Sequence, residues 1–196
     1  MKRLILILLI TFSSTFANDW KEVAKEDGIV VYAFEHDESI IPFKAVARIN
    51  QPIKKILGVL KDHKRKYLWA PKLKDVKVHT IKESGEYIFS EYYKTPWYSS
   101  DREFLLSGHI KKISNDEFLL VGKSIDNPML ANHDHIQVDV KTLNVRLSKL
   151  GPQQTKIIFE FHGDMGGWIP VWLMNIIQKK WPLRFIQGLR KELENI

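Results

Sequence analysis

The sequence predicts an α+β domain in which a curved antiparallel sheet grips one long closing helix. Two observations carry this. From Val76 to His162 the chain reads as about six strands joined by short turns, a succession that folds as an antiparallel meander. The final stretch, Gly163 to Glu194, then carries a helical pattern that only Pro182 interrupts. Val171, Met174, Ile177, Trp181, Phe185 and Leu189 recur there at spacings of three and four and form one apolar stripe. Trp172, Ile176, Leu183 and Ile186 fall off it, which predicts a second, partly covered face. From Ile169 to Glu194 such a helix spans about 39 Å, long enough to cross a small domain. A helix this apolar needs a large concave partner, and the strands supply one.

Seventeen residues precede the domain. Lys2 and Arg3 are followed by the unbroken apolar run Leu4 to Ile10 and by a small polar segment ending Thr15-Phe16-Ala17, the pattern of a secretory signal peptide cleaved after Ala17. The apolar run is well short of the roughly twenty residues of a spanning helix. Removing 17 of the 196 residues leaves 179, one domain of ordinary size (18–196), and lowers the formal charge from +7 to +5. Export to the periplasm or the exterior follows. With no cysteine, the chain has no disulfide, thiolate metal site or cysteine nucleophile.

The elements follow in order. Asn18 or Asp19 caps a short helix through Trp20, Val23 and Ala24, closed by Asp27-Gly28. Ile29–Phe34 is β-branched and aromatic, hence a strand, and Phe43–Ile49 alternates with Phe43, Ala45, Ala47 and Ile49 on one face. Pro52 opens a helix with the stripe Ile53, Ile56, Leu57 and Leu60, and a second helical piece runs from His63 to Trp69. Strands follow at Val76–Ile81, Tyr87–Tyr93, Arg102–Lys111, Phe118–Lys123, about Gln137–Leu147 and Thr155–His162. A change of phase between Val140 and Leu143 marks a bulge. Pro170 occupies the first turn of the long helix, where a missing N–H costs nothing.

Few residues carry chemistry. Glu91 shares its strand face with Tyr87, Phe89 and Tyr93, and Arg102 shares the next strand's face with Phe104, Leu106 and Ile110. Charges on apolar faces are expensive unless they meet, so the two are expected to form an ion pair, either as a structural bridge or as a ligand contact. His133-Asp134-His135 offers two of the three ligands a catalytic zinc site needs and reads as a polar loop; no metal or other cofactor is expected. The basic run Lys61–Lys66 reads as a solvated helix face, with anionic lipid as its second reading. Trp97-Tyr98, beside Pro96, suits an interfacial contact or folds back on the sheet.

Four segments are similar to START domains, the StAR-related lipid-transfer modules of the Bet v 1-like helix-grip fold. They are DWKEVAKEDGIVVYAF, FKAVARI with the IKKILGVLKD helix, TPWYSSDREFLL, and FEFHGDMGGWIPVWLMNIIQKKWPLRFIQGLRKEL. The Asp-Arg-Glu-Phe strand start and the Gly-Trp-Ile-Pro helix start are the specific ones. The resemblance implies a hydrophobic tunnel between sheet and helix that holds one sterol, phospholipid or other lipid. It implies that Glu91 and Arg102 form the cavity charge pair and that Trp97 lies in a loop touching the membrane. The expected ligand lies against Phe89, Phe104, Met174, Ile177, Trp181 and Phe185, its head at Glu91 and Arg102, in a monomer that makes transient contact with a membrane and none with nucleic acid. The competing readings are a helix-grip enzyme, cyclase or hydrolase-like, and an interaction module with a filled core.

Overall fold

The computed structural model describes residues 20–33, 42–95 and 99–196. Among these residues ten strands form one sheet: β1 (Lys21–Glu26), β2 (Ile29–Ala33), β3 (Phe43–Ile49), β4 (Leu73–Ile81), β5 (Tyr87–Tyr93), β6 (Arg102–Ser114), β7 (Glu117–Ser124), β8 (Ile136–Gln137), β9 (Asp139–Gly151) and β10 (Gln154–Asp164). The helices are α1 (Ile53–Lys61), α2 (Lys66–Trp69) and α3 (Val171–Glu194). Spatial order is β1-β2-β3-β10-β9-β7-β6-β5-β4, with the short β8 paired in parallel to β6 and every other pair antiparallel. The α1–α2 connection carries the chain from β3 to the far edge strand β4, and the meander then returns to close beside β3.

Alternation decides which face is buried. Phe43, Ala45, Ala47 and Ile49 of β3 lie in register with Phe161, Phe159, Ile157 and Thr155 of β10, and all eight are buried. The expected bulge in β9 is present: Thr142 pairs with His162 and Val140 with Gly163, so Lys141 is the extra residue. The signal-peptide reading falls on residues outside the described ones.

The first element differs from expectation. Residues 21–26 form a strand, not a helix, paired with β2 through a bulge at Val23. Asp27-Gly28 suits a helix end by sequence. Both residues have positive φ, 52° and 68°, and connect Glu26 directly to Ile29, which is the type I′ hairpin turn that Asp-Gly also favours. The second helical piece is a single turn at Lys66–Trp69, shorter than His63–Trp69.

The apolar face of α3 is also redistributed. Phe185 and Leu189 are buried as expected, and so are Leu173, Leu183, Ile186 and Leu193, whereas Val171 is 76% exposed. The carboxyl-terminal half is tied down: Lys55 donates to the Leu193 carbonyl at 2.9 Å, Arg65 to Glu192 at 2.6 Å, and Arg190 to the carbonyls of Asp27 and Arg48 at 2.7 Å each. At the other end, Val171, Trp172 and Ile176 of α3 and Trp168 before it are exposed. The stripe misleads because it assumes one partner along the whole helix, and α1 and α2 meet only its carboxyl-terminal half, at Leu193, Phe185 and Gly188.

Gly188 sets how closely α3 approaches α2. A Cβ there would lie 2.1 Å from the Trp69 carbonyl oxygen, backbone that cannot step aside. Gly58, in the middle of α1, has nothing within 4 Å of its Cβ position. The two glycines should therefore respond oppositely to alanine. In urea unfolding, Gly188→Ala is expected to cost about 1–3 kcal/mol, and Gly58→Ala to add about 0.5–1 kcal/mol from helix propensity. Equal and favourable shifts would contradict the close approach.

Candidate lipid-binding cavity

Glu91 and Arg102 both face the concave side of the sheet and are 2% and 1% exposed, but they do not pair. Register places Glu91 opposite Phe104 and Arg102 opposite Tyr93. The two charges therefore sit on a diagonal, about 7–8 Å apart at the backbone, with two aromatic rings between them. Each has taken other partners.

Glu91 is held by the Lys66 ammonium and by the Tyr93 hydroxyl, which donates at 2.7 Å. Burial first, and the Glu91 charge second, push the Tyr93 pKa well above its ordinary value, so the phenol remains a donor. Lys66 corrects the reading of residues 61–66 as a solvated face. His63, Lys66 and Trp69 lie three residues apart and turn inward together. That spacing, with Trp69 as its apolar member, was the available sequence signal. His63 packs against Tyr87 and Phe89 at 5.6 and 5.3 Å between ring centroids. Burial, then the Lys66 charge, lowers its pKa, only partly opposed by Glu91 and Asp62.

Arg102 acts as a clamp. Its guanidinium donates to the Ser99 hydroxyl, to Thr95 Oγ1 at 3.3 Å and to the Ser100 carbonyl at 2.5 Å on one side. On the other it reaches the carbonyls of Met165 at 3.4 Å and Gly166 at 3.1 Å. It thus fastens the loop before β6 to the glycine turn before α3. That turn needs glycine: Gly166 and Gly167 have φ of 65° and 62°, and a Cβ on Gly166 would lie 2.8 Å from the Gln137 carbonyl. Burial lowers the Arg102 pKa and the neighbouring Asp101 charge opposes this; the group remains a cation. Glu103, beside it in sequence, points to the opposite face, where it accepts from the Asn132 N–H at 2.6 Å and Gln137 Nε2 at 2.7 Å and anchors the segment before β8.

Between α3 and the sheet the interior is divided in two by Trp181. Its ring lies 5.2 to 6.1 Å from those of Phe161, Phe43, Tyr93, Phe104 and Phe159. An inner cavity of about 80 Å³ is lined by His63, Lys66, Phe89, Glu91, Trp181 and Phe185, among others. An outer cavity of about 330 Å³ has walls of Tyr93, Phe104, Met165, Ile169, Leu173, Ile177 and Trp181, with Arg102 at its inner side. Its rim carries Pro71, Lys72, Lys94, Thr95, Ile176, Lys180 and Arg184. The expected site residues are therefore shared between two chambers. Glu91, Phe89 and Phe185 line the inner one, Arg102, Phe104 and Ile177 the outer, and Trp181 both. Met174 packs against the core and lines neither. Trp97 and Tyr98 lie outside the described residues. Among the described residues no three metal-ligating side chains converge; His135 instead packs on Tyr92 at 5.2 Å.

Two measurements follow. Lys66→Met leaves the Glu91 carboxylate buried without its cation and should cost about 3–5 kcal/mol, most of it recovered by adding Glu91→Gln. Strict additivity of the two changes in denaturant unfolding would refute the pairing. For His63 the folded pKa lies below its ordinary 6.5, so the unfolded chain binds the extra proton first. The group costs nothing above that pH and destabilises as pH falls through 6.5 towards the folded value. A melting series from pH 8 to 5 should show less loss for His63→Phe than for the parent; identical slopes would contradict it.

The START domain family model matches residues 13–196. An uncharacterised protein of Pseudomonas aeruginosa is 22% identical over 182 residues, covering 92% of this chain and 90% of that protein. Among solved structures, the STAR-related lipid transfer protein of Xanthomonas axonopodis superposes with a TM-score of 0.78 at 17% identity, over 90% of this chain and 99% of that one. Human StAR-related lipid transfer protein 5 superposes with a TM-score of 0.82 at 13% identity, over 91% of this chain and 88% of that one. With a ten-stranded curved sheet closed by one carboxyl-terminal helix and the family pattern running through nearly all of it, the chain belongs to the START domain family.

Proposed function

We propose that this chain is an exported lipid carrier that encloses one hydrophobic ligand between α3 and the sheet and performs no chemistry on it. The observation that carries the reading is the outer cavity: about 330 Å³, walled by apolar side chains and roofed by the less anchored half of α3. That volume lies in the range of about 300–1,000 Å³ typical of small-molecule sites. Apolar burial supplies affinity at about 25 cal/mol per Å². Membership of the START family, with relatives described as lipid transfer proteins, supports the same class of ligand. The inner chamber, with Glu91, Lys66 and His63, supplies polar contacts for a ligand end that passes Trp181.

Loading requires an opening. Trp168, Val171, Trp172 and Ile176, 82%, 76%, 50% and 43% exposed, lie on and beside the first turns of α3, next to the cavity rim. Such apolar surface suits a bilayer interface. Among the described residues no helix is long and apolar enough to cross a membrane. The exposed apolar residues at the cavity rim support a transient, peripheral contact, by a monomer exported through its first seventeen residues.

The direct test is native mass spectrometry of protein purified from its own source without detergent, followed by lipid extraction. One lipid per chain is expected, released when vesicles are added. A chain that carries no lipid and takes none up from vesicles would sink the reading.

A further inference from the structure

We infer that the ligand of the outer cavity is an anionic amphiphile, its carboxylate or phosphate seated on the basic rim and its chain among Phe104, Leu173 and Trp181. This rests on the cavity being a lipid site, as proposed above. The first ground is charge. Five cationic side chains, Lys72, Lys94, Arg102, Lys180 and Arg184, line this one cavity and no carboxylate does. The nearby acids are engaged elsewhere. Asp101 accepts from Lys74 at 2.9 Å and from the Thr95 N–H at 3.0 Å, and Asp164 accepts from the Gly166 N–H at 2.8 Å. Among the described residues no carboxylate lies within 4.0 Å of the Lys72, Lys94 or Lys180 ammonium.

The second ground is arrangement. Lys180 and Arg184 stand one turn apart on the same face of α3, a like-charge spacing that repels in the empty protein. The carboxylate nearest Arg184 is Glu26, at 3.9 Å and half-exposed. Lys72 occupies the left-handed region, φ 63°, where a side chain is disfavoured. Its carbonyl accepts from the Lys94 N–H at 2.9 Å, which ties together the backbones of two rim cations. Such a rim is unfavourable around an empty apolar mouth and becomes favourable once an anion lies between the cations.

The third ground divides the labour. The donors of Arg102 are committed to the two loops it joins, so it does not need to capture the head group. Its charge, bonded to carbonyls and hydroxyls and to no carboxylate, still raises the potential inside a low-dielectric pocket. The exposed ammonium groups at the rim are free to reach an anion while the walls take the chain. A neutral lipid would fill the walls and leave the rim unanswered.

The test compares palmitate, palmityl phosphate and hexadecanol on delipidated protein at low salt and pH 8, each displacing the neutral probe diphenylhexatriene. The better of the two acids is expected to bind about tenfold more tightly than the alcohol, with the advantage shrinking in high salt. Which acid leads identifies the head as carboxylate or phosphate. Lys180→Gln with Arg184→Gln, both at exposed positions, should erase the preference while the melting temperature stays near that of the parent. Hexadecanol binding as tightly as both acids would overturn the anionic ligand and leave the lipid carrier standing. If none of the three binds and no lipid is recovered on extraction, both readings fall. If the double variant keeps its preference for the acid but loses association with vesicles of equal phosphatidylcholine and phosphatidylglycerol, the rim serves the bilayer instead, and the inference is overturned.

Discussion

A concave sheet of ten strands has more apolar surface than one helix can cover, and the rest of this structure is an answer to that mismatch. With 24 residues, α3 is about 36 Å long and about 10 Å wide with its side chains. The remaining surface must be filled by side chains, covered by the chain crossing at α1–α2, or left empty. All three occur. Large aromatics rise from β3, β5, β6 and β10 to meet Trp181, α1 and α2 close one side, and two chambers remain on either side of the Trp181 ring. The cavity is thus a consequence of geometry, since close packing of the whole concave face would need a second long helix.

Burying two isolated charges on the sheet's inner face looks costly until their partners are counted. Glu91 and Arg102 do not neutralise each other. Each joins a different piece of the covering layer to the sheet: Glu91 holds α2 through Lys66, and Arg102 holds the glycine turn and the loop before β6. A direct pair would have tied β5 to β6, which their backbone hydrogen bonds already join. The observed contacts bind sheet to cover, where no backbone ladder exists. They also leave the interior electrically uneven: a carboxylate, Glu91, lines the inner chamber beside Lys66, whereas only cations line the outer.

Much of this was legible in the sequence, and the failures have physical causes. Strands β3 and β5 are bounded as read because alternation and turn residues agree there, and the bulge at Lys141 showed as a break of phase. Residues 21–26 were misread because Asp-Gly serves equally as a helix end and a type I′ turn, and only pairing with β2 decides between them. Glu91 and Arg102 were correctly found as buried charges, since face-sharing is a local property. Their partners were not, because a diagonal across two strands depends on register. Lys66 could have been found from its spacing to Trp69. Gly188 carried a signal too, as a glycine inside a helix that costs stability without an evident turn. What it approaches, a carbonyl more than a hundred residues earlier, is invisible to any local pattern.

These contacts hold the two halves of α3 differently. From Leu183 onward the helix is fixed by buried leucines, by Gly188 against Trp69, and by the bonds of Lys55, Arg65 and Arg190. Before Trp181 it is held by Leu173, Met174 and Ile177 and by the Arg102 clamp on the turn that precedes it. Pro182 lies at the boundary, and without an N–H it cannot bond the Gln178 carbonyl, so the helix is weakest where the two halves meet. A lid that pivots there would lift Leu173 and Ile177 off the outer cavity while the bonds of Lys55 and Arg65 keep the carboxyl-terminal half in place. Because Trp181 is the last residue before the pivot, lifting the lid would also withdraw the ring that separates the chambers. The same motion would then open the mouth and join the two cavities, so the volume available to a ligand would be set when it enters.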